Sequence, residues 1–231
     1  MFSIKHTKGT NSIMLHKLKK LNPDLQLFNV DDSEFLEYGR LLTPPCDMSE
    51  WMNHANSIPM PTSGSMYLPD IPELHQGSVA EWFCDEVYGQ MDTEFGICQG
   101  SNKHLNAVEW HKSSEVNVAL TWFILLLGRV QDIKNGWYDA SNLKGFLAKP
   151  GQCFEIYSTT LHFCPCQIEQ SGFRCIVVLP KGTNQPLERP TQDLLLFRRN
   201  KWLLAHEDNS ELILRGVQAG VSGKNLMIVG V

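Results

Sequence analysis

Apolar positions change their spacing along this chain, and the changes divide it into three stretches. From Ile13 to Leu21 (Ile-Met-Leu-His-Lys-Leu-Lys-Lys-Leu) they recur at helical intervals, predicting a short amphipathic helix stopped by Asn22-Pro23. A second short helix is signalled by Asp31-Asp32 as caps, Phe35 and Leu36 as apolar contacts and Gly39 as terminator. Residues 43–76 lose all periodicity and carry Pro44, Pro45, Pro59, Pro61, Pro69 and Pro72 together with Gly64. That texture predicts an ordered, meandering loop or a lid over a binding site or subunit interface.

From about residue 78 to 182, runs of Val, Ile, Leu, Phe, Tyr and Trp alternate with Gly, Asn and Pro-Gly punctuation. The expected strands are Glu94–Cys98, Asn106–His111, Val116–Leu127, Gly145–Ala148, Cys153–Tyr157, Leu161–Cys166 and Arg174–Leu179, with turns at Asn135-Gly136, Pro150-Gly151 and Ser171-Gly172. Many short strands with regular turns predict a sandwich or barrel. Residues 183–231 add Leu194–Phe197 and Trp202–Ala205, then a Gly-rich tail with an apolar run at Leu226–Val229. The expected organisation is an N-terminal helical and Pro-rich extension (1–76) packed on a barrel domain (77–231).

Composition narrows the function classes. At 231 residues and 42% hydrophobic content, one core suffices without a disulfide or metal staple. Lys plus Arg is 20 and Asp plus Glu is 25, a net charge of −5, which lacks the footprint of a nucleic-acid binder. Lys17/Lys19/Lys20 and Arg198/Arg199/Lys201 read as solvated basic faces. The most apolar stretch, Val116–Leu127, falls short of the ~20 residues of a membrane span. The opening Met-Phe-Ser-Ile-Lys-His has no leader-like apolar run, and seven cysteines, an odd number, argue against a disulfide framework. The expectation is a cytoplasmic protein with reduced thiols and no membrane partner.

The chemistry concentrates in Val108-Glu109-Trp110-His111-Lys112-Ser113-Ser114-Glu115. On a strand, Glu109 and His111 share one face while Val108 and Trp110 share the other. A tight turn at Lys112-Ser113-Ser114 returns Glu115 beside His111, bringing two carboxylates and an imidazole together. Such convergent O and N donors suit a divalent cation. His162, between Leu161 and Phe163, is the fourth candidate donor; alone, it reads equally as a core histidine.

These residues resemble the two motifs of the cupin superfamily. Glu109-x-His111-x-x-x-Glu115 is similar to the first motif, usually His-x-His-x(3–4)-Glu, and Pro150-Gly151 followed by His162 is similar to the second. Glu109 stands where the first His is usual, the segment after Glu115 is longer, and His162 lies farther from the Pro-Gly turn. The layout is also similar to ureidoglycolate lyase-type cupins, through Phe35-Leu36-Glu37-Tyr38-Gly39, Glu109-Trp110-His111, and Gly151-Gln152 followed by His162. Over nearly its whole length the chain resembles a bacterial cupin-like family found among sugar-utilisation genes, one that carries no established reaction. The phrases that carry this likeness are Leu105–His111, Tyr157–His162 and Leu179–Asn184.

The resemblance implies a mostly β, cupin-type antiparallel barrel (a double-stranded β-helix) with one divalent metal, Mn, Fe, Zn or Ni, held by Glu109, His111, Glu115 and His162. It further implies a metal-dependent isomerase, epimerase or lyase acting on a sugar, sugar acid or related hydroxylated carbonyl compound. Glu155 and Tyr157 share a strand face and read equally as cavity-lining or as a surface-facing pair. If they line the cavity, Glu155 is the expected proton carrier, with Tyr157 and Lys112, which alternates to the side opposite His111, next. The other readings are a ureidoglycolate lyase-like enzyme on a ureido or hydroxy acid, a non-catalytic sugar-binding module, and, last, a dioxygenase. The expected partner is a small-molecule substrate, and a homodimer is left open. Gln99–Lys103 is a polar loop suited to hydroxyl or carboxylate recognition, or an ordinary turn. Cys164-Pro165-Cys166 reads as packing thiols. Gly220–Asn225 fails as a phosphate loop, because Gln218 and Asn225 occupy positions that need Gly and Ser/Thr.

Overall fold

A computed structural model describes the backbone of residues 5–231 and the side chains of residues 12–231. Met1–Ile4, where no leader was expected, lie outside the described residues. In chain order, α1 (Lys5–Leu21) is followed by β1 (Leu27–Asn29), β2 (Gly39–Leu42), α2 (Ser49–Asn56), β3 (Ser65–Leu68) and α3 (Gly77–Trp82). Then come β4 (Thr93–Gly100), β5 (Ala107–Trp110), β6 (Glu115–Ala119), β7 (Phe123–Arg129), β8 (Tyr138–Asp139), β9 (Lys144–Ala148) and β10 (Cys153–Ile156). The chain ends with β11 (Thr160–Leu161), β12 (Cys166–Gln167), β13 (Phe173–Pro180), β14 (Leu196–Arg198), β15 (Lys201–His206), α4 (Ser210–Leu214) and β16 (Gln218–Ser222). Among the described residues, no helix is long and apolar enough to cross a membrane.

The mostly β, largely antiparallel class expected from the sequence is what the chain builds. One sheet has the order β2-β10-β6-β13-β4-β3, antiparallel throughout. A second runs β1-β9-β7-β11, with β12 also on β7. The inner faces of these two sheets share one core, in which Ala119, Phe154, Ile156, Cys175 and Val177 meet Phe123, Leu125, Leu127 and Phe146. Outside, α2, α3 and the π-helical turn Phe83–Val87 cover the six-stranded sheet, burying Trp51, Leu74 and Phe83 against Phe95, Ile97, Val116 and Ile176. A third sheet, β14-β15-β16-β8 with β5 on β15, packs with α1 against the outer face of the second.

Several local expectations change. The short helix after Asp32 is a 3-10 turn, Ser33–Glu37, in which Phe35 is buried but Leu36 points to solvent. Gly39 does not terminate it in a left-handed conformation; it opens β2, where a Cβ would lie 2.0 Å from the Glu155 carbonyl oxygen. The stretch 43–76 is not a plain loop, since it holds α2, β3 and the 3-10 turn Pro72–His75. β1, β2 and β3 bring the N-terminal residues into both main sheets.

Val116–Leu127 is two strands. The chain turns at Leu120–Trp122, where Leu120 and Thr121 donate to the Arg174 carbonyl, and crosses from one sheet to the other. Both strands are buried on both faces, so alternation could not mark the break. The Asn135-Gly136 turn forms as expected, with φ of 53° and 80°, the left-handed pair that a tight hairpin turn needs.

Candidate metal centre

The site lies where the three sheets meet. β5 has left the main barrel and pairs with β15, so Val108 and Trp110 enter the core beneath α1 while Glu109 and His111 take the opposite face. Glu109 and His162 are joined through their backbones: the Glu109 amide donates to the His162 carbonyl at 2.6 Å, and the reverse bond is 3.0 Å. Glu115 opens β6 on the inner face, opposite Ile156. Lys112–Ser114 forms the return between them. Asn200 pins that return, its Oδ1 accepting from the Lys112 amide at 2.9 Å and its Nδ2 donating to Ser113 Oγ at 3.1 Å.

Four side chains predicted from the sequence therefore converge. Glu115 Oε2 lies 3.4 Å from both His111 Nε2 and His162 Nε2, and Glu109 Oε1 lies 4.0 Å from His162 Nε2. Two donors each about 2.1 Å from one ion at a tetrahedral angle are about 3.4 Å apart. Glu109, His111 and His162 form a cluster whose donor atoms lie within 4.8 Å of one another. His111 is 1% exposed, His162 4% and Glu115 7%.

The outward hydrogen bonds of the rings set their tautomers. His111 Nδ1 donates to the Asn200 carbonyl at 2.7 Å, and His162 Nδ1 donates to the Thr160 carbonyl at 3.1 Å. A carbonyl only accepts, so both Nδ1 atoms carry protons and both Nε2 atoms face the centre. Among the described residues neither Nε2 has a hydrogen-bond partner, although both are buried. Buried polar atoms rarely stay unpaired, and two lone pairs aimed at one point fit a metal ion. Asn117 Nδ2 completes the support, donating to Glu115 Oε1 at 2.6 Å and leaving Oε2 for the centre.

Charge at the centre is tightly balanced. Burial alone pushes Glu115 upward, but the His162 and His111 imidazoles 3.4 Å away override it and hold the carboxyl well below the usual range. For His162, burial pulls downward, yet Glu115 and then Glu109 raise it above an ordinary histidine.

A model of a domain of unknown function, DUF4867, matches residues 27–226. The chain belongs to the DUF4867 family. No curated protein matches it. Among solved structures, it is similar to Bacillus subtilis oxalate decarboxylase at pH 4.6 (7% identity, TM-score 0.29, 42% of this chain and 23% of that one). A single-residue variant of that enzyme gives 7% identity and a TM-score of 0.32 over 54% of this chain and 28% of that one. A cupin-2 domain protein from Shewanella frigidimarina gives 13% identity and a TM-score of 0.27 over 39% of this chain and 72% of that one. The chain spans about a quarter of the oxalate decarboxylase chains it matches.

In this DUF4867 member the three residues expected to move protons lie elsewhere. Glu155 pairs with Val116 across β10 and β6, so its side chain leaves the sheet on the outer face and binds Arg40 Nε at 2.6 Å. Lys112 is exposed, with Nζ 5.2 Å from the Trp202 ring. Tyr157 falls just past the end of β10, half-buried and outside the cavity lining. Strand parity explains Glu155: it sits one register step from Ile156, the partner of Glu115, and one step reverses the face.

The residues around the centre that sequence reasoning missed are Asn117, Asn200 and Lys201. Lys201, read as part of a solvated basic face, turns inward and ion-pairs with Glu109 Oε2. Asn200 (φ 56°) carried a hairpin signal, since Asn tolerates the left-handed turn between β14 and β15, but nothing local showed its reach to His111. Above the donors opens a cavity of about 550 Å³ whose walls include Tyr67, Asn102, Asn117, Asn184 and Lys201. Part of the Pro-rich stretch, Gly64–Tyr67, forms one wall, and Ser101 and Asn102 from the polar loop line it too.

Proposed function

We propose that this protein is a metal-dependent cupin enzyme, an isomerase, epimerase or lyase, acting on a small hydroxylated carbonyl compound such as a sugar or sugar acid. The observation that carries the reading is the pair of buried, unpartnered Nε2 atoms of His111 and His162, facing Glu115 Oε2 at 3.4 Å beneath a polar cavity. Glu109, His111, Glu115 and His162 hold the ion, and this mixed N/O set suits Mn, Fe, Zn or Ni. Such an ion supplies a Lewis acid for a carbonyl or hydroxyl oxygen.

The chain's own groups do the rest. A cavity of about 550 Å³ lies within the usual small-molecule range, and amide-rich walls suit a hydroxyl-rich ligand. Tyr67 lines the cavity, where Glu155 does not, and offers a hydroxyl to a bound ligand. Burial, then the nearby Glu115 and Glu94, raise its phenol well above the ordinary value, which keeps the hydroxyl protonated. Asn184 Nδ2 lies 3.5 Å from the Tyr67 hydroxyl and helps orient it.

The test combines elemental analysis of the purified chain with turnover of a panel of aldoses, ketoses, aldonates and ureidoglycolate in deuterated water. Metal-dependent deuterium incorporation or cleavage, lost in His162→Ala, supports the reading. Ligand binding without turnover makes the protein a sugar-binding module, and failure to retain any divalent metal refutes it.

A further inference from the structure

Two consecutive residues, Asn200 in the turn before β15 and Lys201 at its start, serve two of the four donors. The Asn200 carbonyl accepts from His111 Nδ1, and Lys201 Nζ sits against Glu109 Oε2. Of the basic cluster 198–201, Arg198 stacks on Phe197 and the exposed Arg199 faces Glu188. Lys201 alone points into the site, its side chain 17% exposed and its Nζ 6.0 Å from the Phe163 ring. Holding an ammonium group in a half-dry pocket costs desolvation, so the pairing needs a return.

The two oxygens of Glu109 have separate surroundings: Oε1 faces His162 Nε2, while Oε2 is taken by Lys201. We propose that Lys201 is a positioning residue that restricts Glu109 to one-oxygen donation, leaving a coordination position open toward the cavity for a substrate oxygen. The inference rests on the metal reading above. A carboxylate can bind a cation through one oxygen or both. An ammonium held on Oε2 blocks the second mode. Lys201 also changes the charge: two carboxylates and one ammonium leave −1 before a divalent ion binds and +1 after. Without the ammonium the values are −2 and 0, and an ion at neutral net charge polarises its substrate less.

This role has an unusual sign. A merely structural neighbour of a donor weakens metal binding when removed. Lys201 competes with the ion for the Glu109 charge, so its removal tightens binding.

The experiment is a Co²⁺ titration of the full chain as wild type, Lys201→Met and Lys201→Arg, reading affinity against a competing chelator and the visible absorption of bound Co²⁺. Lys201→Met is expected to bind about tenfold more tightly, with weaker visible bands because a two-oxygen Glu109 raises the coordination number. Lys201→Arg keeps the wild-type affinity and spectrum. Weaker or unchanged binding in Lys201→Met with an unaltered spectrum overturns the proposal. Circular dichroism checks folding, and Lys201→Gln is measured the same way should the Met variant unfold. If wild type takes up no Co²⁺, the metal reading falls and the Lys201 role with it; tight wild-type binding that ignores Lys201→Met sinks the Lys201 role alone.

Discussion

Glu115 and Glu155 occupy neighbouring strands of one sheet, one register step apart, and their surroundings have almost nothing in common. Glu115 points to the inner face, where it is buried between two imidazoles and braced by Asn117. Glu155 points to the outer face and pairs with the largely exposed Arg40. The outer face is otherwise an apolar seat for α2, α3 and the Phe83–Val87 turn. One face of the sheet thus carries the candidate metal centre at its end, and the other an apolar seat for helices. Because side chains alternate with period two, a single step in register decides which task a glutamate receives.

The largest effects should come from the inner face. His111→Ala and His162→Ala are each expected to abolish tight metal binding, exceeding the ~10–100-fold typical of losing a supporting residue. Equilibrium dialysis on folded protein measures this, and unchanged metal content in both variants would erase the distinction between the faces. On the outer face, Phe83→Ala should cost about 3–5 kcal/mol of stability in urea unfolding. The folded fraction should still bind metal with wild-type stoichiometry, and a lost stoichiometry would show the two faces to be coupled.

A smaller effect concerns Glu94, an inner-face carboxyl opposite Leu179 that accepts from the Gly182 amide at 2.7 Å. Burial raises it from 4.5 to about 7. Between those values the folded chain holds a proton that the unfolded chain has released, so its contribution to stability is full below the lower value and declines as pH rises to about 7. Glu94→Gln should remove that decline, making the variant relatively more stable at pH 8 than at pH 5; parallel urea midpoints across that range would reject the assignment. The smallest change belongs to Glu155→Gln, which should leave metal binding and turnover intact and cost no more than about 1 kcal/mol, as for other surface pairs. A large loss of turnover would return Glu155 to the site.

Much of the centre was legible because it is local. Glu109, His111 and Glu115 lie within seven residues, and alternation along a strand followed by a tight return is enough to bring them together. His162 needed the resemblance to a known motif as well. The turns at Asn135-Gly136 and Ser171-Gly172 were legible, with positive φ at Asn135, Gly136 and Gly172, but the short strands β3, β8 and β16 were not. The strand reading failed at Leu120–Trp122, where burial on both faces removes the alternation that marks a strand end. It failed again within 43–76, where prolines concealed a short helix and a sheet-edge strand.

The sequence by itself determined a mostly β chain, the convergence of Glu109, His111 and Glu115, and the absence of any long apolar span. Each follows from composition or from side-chain periods of a few residues. Only the tertiary structure decided which proton-bearing groups share the cavity. Lys201 lies about ninety residues from Glu109, and Tyr67 about fifty from Glu115, yet they meet because β15 pairs with β5 and β3 closes the edge of the six-stranded sheet. Those meetings depend on register and on the faces of paired strands, which are set when distant apolar surfaces find their burial. No window of neighbouring residues carries that information, so a lysine in a basic run and a tyrosine in a proline-rich stretch line the cavity while Glu155, Lys112 and Tyr157 do not.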